Sequence, residues 1–285
     1  NQVPIMRAAV VQINSGADRS RNLEVAGELV AAAAADGAQL VVLPEKWALL
    51  GDGAALTAGA ESLDGEAITA ARGWAADLGI HLLAGSFTML PDPGGVPPSA
   101  LPTNTSVLIS PEGQIVCSYD KLHMFDVEAG GVEYRESDHE QAGDGLAVAD
   151  AGDLRIGLTI CYDLRFPELF RALLDRGATA FTVPSAFTSA TGRDHWETLL
   201  RARAIENQAF VLAANQVGTA APSYDSWGHS MIVGPWGEVL AEVKEGEGFA
   251  CAELDLERQA EVRRKLPAVN HRRPEIFSEG VAHGS

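Results

Sequence analysis

The chain has 285 residues, of which 46% are hydrophobic, and its formal net charge is −18. This length and apolar content suit one large α/β domain or two small ones. The negative charge argues against binding to nucleic acid and to anionic membrane surfaces. Cys117, Cys161 and Cys251 are too few and too scattered for a disulfide framework. Because the sequence also has no long apolar run and no signal-peptide pattern, we expect a cytoplasmic protein.

The first half of the chain alternates short apolar runs with Ala-rich or amphipathic stretches. Apolar runs bounded by turn residues are typical of strands, and apolar spacing of three and four is typical of helices. The proline-rich segment 91–102 is predicted to be a surface loop. The predicted elements are strands at 5–13, 39–43 and 81–86, a hairpin of strands at 105–109 and 114–119, and helices at 22–35 and 66–78.

The second half begins with a Gly-rich, charged segment, 125–145, which is predicted to be a long loop. Interleaved strands and helices then predict a layered α/β or α+β sandwich. No stretch resembles an interdomain linker, so we expect one domain over 1–285, with its core at about 5–265 and an irregular tail at 266–285. The predicted elements are strands at 154–160, 179–183, 210–214, 228–233, 239–243 and 248–254, and helices at 167–176, 194–207 and 255–265.

Three predicted strands end at reactive side chains. Glu45 follows the strand at 39–43, Lys121 follows the hairpin, and Cys161 follows the strand at 154–160. Sites in α/β sheets gather at the carboxyl ends of strands, so these three side chains can meet in one cleft. Taken singly, each has a plainer interpretation, since a lone Cys is more often a buried structural thiol and strand-end Glu and Lys are more often solvated.

The three residue types suit nucleophilic catalysis by a thiol. Glu45 can accept the thiol proton, because burial in an apolar cleft raises a carboxyl pKa towards the working range of a general base. Lys121 is expected to lower the pKa of Cys161 and to stabilise an oxyanion. The backbone N–H of Tyr162 is a candidate second oxyanion donor. We expect Cys161 to be partly exposed, with nearby helix N–H dipoles favouring its thiolate.

These segments resemble the nitrilase superfamily of carbon–nitrogen hydrolases, which use a Glu-Lys-Cys catalytic set. The resemblance implies a four-layer α-β-β-α sandwich with no cofactor and no metal, acting on a small-molecule substrate. It also implies a homodimer or larger homo-oligomer, with the helices at 167–176 and 194–207 as interface candidates. The matching segments, in order, are 43–45, 119–123, 157–168, 184–187, 195–197, 201–207, 227–230, 235–237 and 271–274, which together extend over nearly the whole chain.

The resemblance also assigns roles to individual residues. It implies that Glu45 is the general base, Lys121 the oxyanion stabiliser and Cys161 the nucleophile that forms a thioester. The family has a second glutamate in the loop after the lysine. Glu136 fits that position best, and Glu128 and Glu133 are nearby rivals.

The residues around the nucleophile favour one branch of the superfamily. The nitrilase branch usually has Cys-Trp-Glu, whereas this chain has Cys161-Tyr162-Asp163. It is most similar to the amidases that act on deaminated glutathione and on omega-amides. Such enzymes hydrolyse small aliphatic or omega-amides to a carboxylic acid and ammonia. Alternatives are nitrile hydrolysis or acyl transfer at the same site, and a non-catalytic scaffold that keeps the fold.

The substrate-binding candidates surround the nucleophile or lie in the segment 184–187. Arg165 is a candidate partner for a substrate carboxylate, although an ion pair with Glu168 or Asp163 is an equally good interpretation. Aromatic residues at such positions are pocket walls or plain core, and His229 is expected to be structural. The histidines lack metal-ligand spacing. The remaining candidates are Ser185, Ala186 and Phe187, with Trp196 as a possible second wall.

Overall fold

The computed structural model describes residues 5–91, 100–220 and 224–278. Its strands form two large sheets and two separate hairpins. The strands, in chain order, are β1 (Ile5–Gln12), β2 (Leu40–Val42), β3 (His81–Leu83), β4 (Phe87–Met89), β5 (Thr103–Ile109), β6 (Ile115–Asp120), β7 (Asp126–Ala129), β8 (Val132–Arg135), β9 (Val148–Ala151), β10 (Leu154–Leu158), β11 (Ala180–Thr182), β12 (Phe210–Ala213), β13 (Val217–Ala220), β14 (Tyr224–Trp227), β15 (Ser230–Val233), β16 (Val239–Val243) and β17 (Gly248–Asp255).

Each large sheet has a parallel centre and antiparallel edges. The first has the order β17-β1-β2-β3-β5-β4, with β6 paired to β5, and β1, β2 and β3 are parallel. The second has the order β16-β15-β12-β11-β10-β9, with β10, β11 and β12 parallel. The smaller hairpins are β7-β8 and β13-β14. The helices are α1 (Arg19–Ala35), α2 (Gly53–Ala58), α3 (Glu66–Leu78), α4 (Pro167–Asp175), α5 (Ser189–Asn207), α6 (Leu256–Lys265) and α7 (Glu275–Ser278).

The central strand β1 is buried on both faces. Its side chains alternate between two clusters, as the two-residue period of a strand requires. Ala8 and Val10 belong to the cluster that both sheets share, while Ala9 and Val11 pack in the cluster that includes Ala26 of α1. Helices α1 and α3 cover the first sheet, and α4 and α5 cover the second. The fold is therefore a four-layer α-β-β-α sandwich, as the resemblance to the nitrilase superfamily implies.

Most predicted elements are present, with shorter strands than expected. The helix at 66–78 matches α3, and the hairpin at 105–119 corresponds to β5 and β6. The helix predicted at 22–35 begins earlier, at Arg19, because Asp18 caps it by accepting a hydrogen bond from the Arg21 N–H. The helix predicted at 194–207 likewise begins at Ser189. Elements that the sequence did not predict are α2, β4, β7, β8, β9, β13, β14 and α7.

The prediction of a long loop at 125–145 is wrong. The segment contains the β7-β8 hairpin and a short 3-10 helix at Glu136–Asp138. Gly130 and Gly131 both have positive φ, at 61° and 79°, which is the backbone of a two-residue hairpin turn. A Gly-Gly pair between two stretches of alternating polar and apolar residues is the hairpin signal in the sequence that was missed.

The expectation of an irregular tail is also wrong in part. Residues 275–278 form α7, and before it Val269 packs against the main core while Arg272 pairs with Asp175 of α4. Residues 279–285 lie outside the described ranges, as do residues 92–99 of the predicted proline-rich loop. None of the helices in the described ranges combines the length and apolarity needed to cross a bilayer.

Candidate active site

The three reactive strand ends converge on one cavity of about 430 Å³. Glu45, Lys121 and Cys161 all line it, although they come from different parts of the chain. Glu45 and Lys121 follow strands of the first sheet, and Cys161 follows a strand of the second. The cavity therefore lies where the carboxyl ends of strands from both sheets meet, as the sequence predicts.

Glu45 is a buried carboxylate held by several donors. Two residues separate it from the end of β2, and it is only 5% exposed. Its Oε1 accepts hydrogen bonds from Asn104 Nδ2 at 2.8 Å and from Lys121 Nζ at 3.3 Å. Its Oε2 accepts from the backbone N–H of Ala186 at 2.8 Å. These contacts fix the direction in which the carboxylate faces the cavity.

Lys121 follows β6 directly and is completely enclosed. Its backbone N–H donates to Asn104 O at 2.9 Å, which continues the β5-β6 pairing by one residue. Its Nζ lies 2.8 Å from both carboxylate oxygens of Glu136. Although burial alone disfavours the ammonium, the charges of Glu136 and Glu45 raise the pKa of Lys121 well above its ordinary value. The side chain therefore stays a cation.

Cys161 opens a 3-10 helix, Cys161–Arg165, beyond the end of β10. Its backbone N–H donates to Pro184 O at 2.9 Å, and its φ of 46° is unusual for a residue with a side chain. The sharp turn from strand to helix aims the thiol into the cavity. A backbone conformation this uncommon is often found at functional sites.

The expectation of a partly exposed thiolate at Cys161 is wrong. The residue is only 8% exposed. Burial raises the pKa of its thiol well above the ordinary value, and both the charge of Glu45 and a hydrogen bond with it raise the pKa further. Lys121 lowers the thiol pKa as expected, but its effect is outweighed. Burial and Glu45 therefore both disfavour the thiolate of Cys161.

Tyr162 lies within the first turn of the same 3-10 helix. Backbone N–H groups in a first turn lack intrahelical acceptors, so this N–H suits an incoming oxygen atom. The Tyr162 ring lines the cavity and contacts Phe125 edge-on, with ring centroids 5.1 Å apart. Tyr134 and Tyr224 complete an aromatic wall on this side of the cavity.

Of the three acidic candidates for a second glutamate, only Glu136 contacts Lys121 in the described part of the chain. Glu128 and Glu133 lie on the β7-β8 hairpin with exposed side chains. Glu136 also accepts a hydrogen bond from the Phe125 N–H at 2.6 Å. Burial opposes its ionised form, but the charge and hydrogen bonds of Lys121 prevail and lower the pKa of Glu136.

Asp163 connects the lysine and cysteine segments, which sequence reasoning did not foresee. Its carboxylate is fully buried and accepts from Tyr119 Oη at 2.7 Å and from the Ile160 N–H at 2.9 Å. The ring Nδ1 of His123 lies 2.6 Å away. Tyr119 and His123 flank Lys121 in the chain, while Asp163 follows Cys161 by two residues. The network therefore fixes the two segments relative to each other.

The structure places some of the substrate-binding candidates on the cavity wall and others away from it. Arg165 and Phe187 line the cavity, and the guanidinium carbon of Arg165 lies 5.1 Å from the centroid of the Phe187 ring. Arg165 Nη1 also lies 3.2 Å from His195 Nδ1, and the expected ion pair with Glu168 or Asp163 is absent from the described residues. Ala186 lines the cavity, whereas Ser185 is fully buried and does not line it.

Trp196 and His229 do not line the cavity. Trp196 is fully buried behind Phe187, with ring centroids 5.1 Å apart, and its Nε1–H donates to His229 O at 2.8 Å. His229 Nδ1 lies 2.7 Å from Glu242 Oε1. Within the described ranges, no group of three or more His, Cys, Asp or Glu side chains is arranged to hold a metal ion.

Comparison with known proteins gives a consistent result. A family model described as "Carbon-nitrogen hydrolase" matches residues 7–264. A deaminated glutathione amidase of Synechocystis is 39% identical over 93% of this chain and 97% of its own length. Omega-amidase NIT2 of Xenopus tropicalis is 35% identical over 95% of this chain and 96% of its own. The solved NitFhit protein of C. elegans superposes with a TM-score of 0.87 at 37% identity, covering 97% of this chain and 67% of that one.

Proposed function

The chain belongs to the carbon–nitrogen hydrolase family, and on this basis we propose that it hydrolyses the terminal carboxamide of a small carboxylic acid to the acid and ammonia. One observation carries the proposal. Glu45, Lys121, Glu136 and Cys161 all line the cavity, where Lys121 contacts both glutamates and Cys161 lies beside Glu45. This cluster combines a nucleophile, a proton acceptor and a fixed positive charge.

In the first stage, the Cys161 sulfur attacks the carboxamide carbon while its proton passes to Glu45. The raised pKa of the thiol and its hydrogen bond with Glu45 favour this coupled transfer over attack by a preformed thiolate. The oxyanion is stabilised by the ammonium of Lys121 and the N–H of Tyr162. Glu45 then protonates the leaving nitrogen, the C–N bond breaks, ammonia departs and a thioester remains on Cys161.

In the second stage, Glu45 removes a proton from a water molecule that attacks the thioester carbon. The same oxyanion donors act again, the C–S bond breaks, and Cys161 recovers its proton as the acid is released. Glu136 takes no proton in this scheme. Its role is to hold Lys121 in place, which two hydrogen bonds of 2.8 Å support.

For the substrate, we propose a carboxamide that carries a carboxylate at its far end. The names of the two curated relatives, a deaminated glutathione amidase and an omega-amidase, support such a substrate. So does Arg165, a cation on the cavity wall whose described side-chain contacts are His195 and aromatic rings. Phe187 and the tyrosine wall would then enclose the carbon chain between the two ends.

We also propose a homodimer formed through the outer faces of α4 and α5. Supporting this, Ile205 of α5 is 51% exposed and Trp236 in the β15-β16 turn is 56% exposed. The Ile205 side chain lies against Gly237, next to Trp236, so the two form one apolar patch. Light scattering of the wild type and of Ile205→Glu would test this. A single domain over 1–285, with its core at about 5–265, stays a prediction, as does a cytoplasmic location.

Ammonia release tests the proposed activity. Purified protein should be incubated with short aliphatic amides, α-ketoglutaramate, deaminated glutathione and nitriles. Release of ammonia from the anionic amides, and not from nitriles, is expected. Hydroxamate formation in the presence of hydroxylamine would reveal acyl transfer from the same thioester. Absence of ammonia release from every amide would refute the proposal.

A further inference from the structure

A second buried ion pair lies beside the one that holds Lys121. Lys46 follows Glu45 directly in the chain, and its Nζ contacts a carboxylate oxygen of Glu140. The side chains are 5% and 2% exposed, and both residues line the cavity. Neither has a role in the proposed reaction. A charged pair this well enclosed is costly to form, which raises the question of what it does.

The pair is built into a closed hydrogen-bonded triangle. Lys46 Nζ donates to Thr88 Oγ1 at 2.7 Å, and Thr88 Oγ1 donates to the same oxygen of Glu140 at 2.9 Å. The backbone of Lys46 has a φ of 55°, in the left-handed region that side chains rarely occupy. The two neighbouring side chains have different partners, since Glu45 contacts Lys121 and Asn104 while Lys46 contacts Glu140 and Thr88. An uncommon backbone conformation of this kind persists only where the surrounding contacts hold it.

The second pair links the same two chain segments as the first. Lys121 contacts Glu45 and Glu136. Lys46 is the residue after Glu45, and the backbone N–H of Glu140 donates to Glu136 O at 3.0 Å. Each carboxylate that touches Lys121 therefore has a member of the second pair close by in the chain.

Lys46 is also near enough to act on the first pair electrostatically. Burial opposes the ionised form of Glu136, and Lys121 is the main cause that lowers its pKa. The charge of Lys46 also lowers the pKa of Glu136, by less. Without Glu140, the ammonium of Lys46 would be buried and unpaired, a costly state. Glu136, on which Lys46 already acts, and Glu45, its neighbour in the chain, are the carboxylates that the freed ammonium would draw from Lys121.

We propose that Lys46 and Glu140 are a positioning pair: Glu140 holds the Lys46 ammonium away from Glu45 and Glu136, so that both carboxylates remain with Lys121. This inference rests on the proposed function, since it concerns the same site. It gives two residues outside the Glu-Lys-Cys set a defined effect on the chemical step.

A double-mutant cycle tests the pair. Glu140→Gln frees Lys46 and should lower kcat roughly 10- to 100-fold, within the range of coupling between contacting charges, with less change in KM. Lys46→Met leaves Glu140 buried without its partner and should therefore lower stability, but it removes the competing cation, so kcat should stay within about tenfold of the wild type. The double variant should resemble Lys46→Met, because Glu140 has nothing left to hold. Glu261→Gln, which removes a carboxylate from an exposed ion pair with Arg258, is the control.

Two further readouts separate positioning from loss of stability. In Glu140→Gln the acid limb of the kcat/KM profile should move to lower pH, because a nearby ammonium favours the ionised form of Glu45. Alkylation of Cys161 by iodoacetamide at neutral pH should become faster, because Glu45 then raises the thiol pKa less. Both changes should disappear in the double variant. The alkylation readout requires no amide substrate.

The outcomes are distinct. Wild-type protein that releases no ammonia would refute the proposed activity, while the alkylation series would still decide the role of the pair. The positioning role would be overturned if the loss of kcat in the double variant equals the product of the two single losses while the pH and alkylation profiles stay unchanged. If Glu140→Gln does not fold, a loss of kcat in Lys46→Met as large as that in Lys121→Met would overturn it, and retention within about tenfold would support it.

Discussion

The Nζ of Lys121 lies 2.8 Å from both carboxylate oxygens of Glu136. The Lys121 side chain is 2% exposed and that of Glu136 is 15% exposed, so the pair is largely shielded from water. A symmetric contact with both oxygens leaves the ammonium little freedom to move. The lysine charge is thus fixed where the cavity, the thiol and the general-base candidate meet.

Substitutions of Glu136 and of its rival Glu133 should differ in their effect on kcat. We expect Glu136→Gln to lower kcat about 100-fold, because an ångström-scale displacement of Lys121 is enough for a loss of that size. Glu133→Gln, in an exposed pair with Arg135 on the hairpin, should stay within about threefold of the wild type. Steady-state ammonia release measures both. Equal losses in the two variants would contradict the assignment of Glu136.

Lys121→Met should affect both activity and stability. Loss of an oxyanion donor is expected to lower kcat by about 100- to 1000-fold. Removal of the cation also leaves Glu45 and Glu136 buried without it, which should cost about 3–5 kcal/mol of unfolding free energy. Urea denaturation followed by tryptophan fluorescence measures the second effect. A variant as stable as the wild type would show that the buried charges are compensated elsewhere.

The lowered pKa of Glu136 predicts how stability depends on pH. Burial opposes the ionised form, but Lys121 outweighs it, so the folded pKa lies below the ordinary value of 4.5. The unfolded state therefore binds the proton more readily. The stabilisation is present above about pH 4.5 and is lost as the pH falls through the lower, folded pKa. Unfolding free energies between pH 3 and pH 6 should show this loss, and Glu136→Gln should flatten it.

Tyr119→Phe tests the network that joins the lysine and cysteine segments. The variant removes the hydroxyl that donates to buried Asp163 at 2.7 Å, so we expect a loss of about 1–3 kcal/mol of unfolding free energy. Tyr134→Phe, which keeps the ring contacts with Phe125 and Tyr224, is the matched control. Denaturation curves compare the two. A change in the control as large as that in Tyr119→Phe would show that the loss is not specific to Asp163.

The layers of the fold and the meeting of three strand ends were predictable from the sequence. Buried strands such as β2 and β10 are short apolar runs, and the residues that follow them are readily found. The β7-β8 hairpin was missed because its composition is polar and Gly-rich, although Gly130-Gly131 was a usable turn signal. With the hairpin missing, the position of Glu136 relative to Lys121 could come only from the family resemblance.

The electrostatics of the site could not be read from the sequence. The expected thiolate of Cys161 assumed exposure and a dominant lysine, but burial and the nearby Glu45 reverse the direction of the pKa shift. Asn104 gave no signal, because its importance comes only from the 2.8 Å hydrogen bond to Glu45. The Lys46–Glu140 pair was likewise hidden, since its members are 94 positions apart in the chain.

The most direct test of the account is intact-mass spectrometry of protein quenched with acid during turnover of deaminated glutathione or α-ketoglutaramate. We predict a covalent acyl adduct on Cys161, located by peptide mapping, that disappears when the substrate is exhausted. Cys161→Ala should show neither adduct nor ammonia release while unfolding at the wild-type temperature. Ammonia release by folded Cys161→Ala, or an adduct on a different residue, would contradict the thioester mechanism.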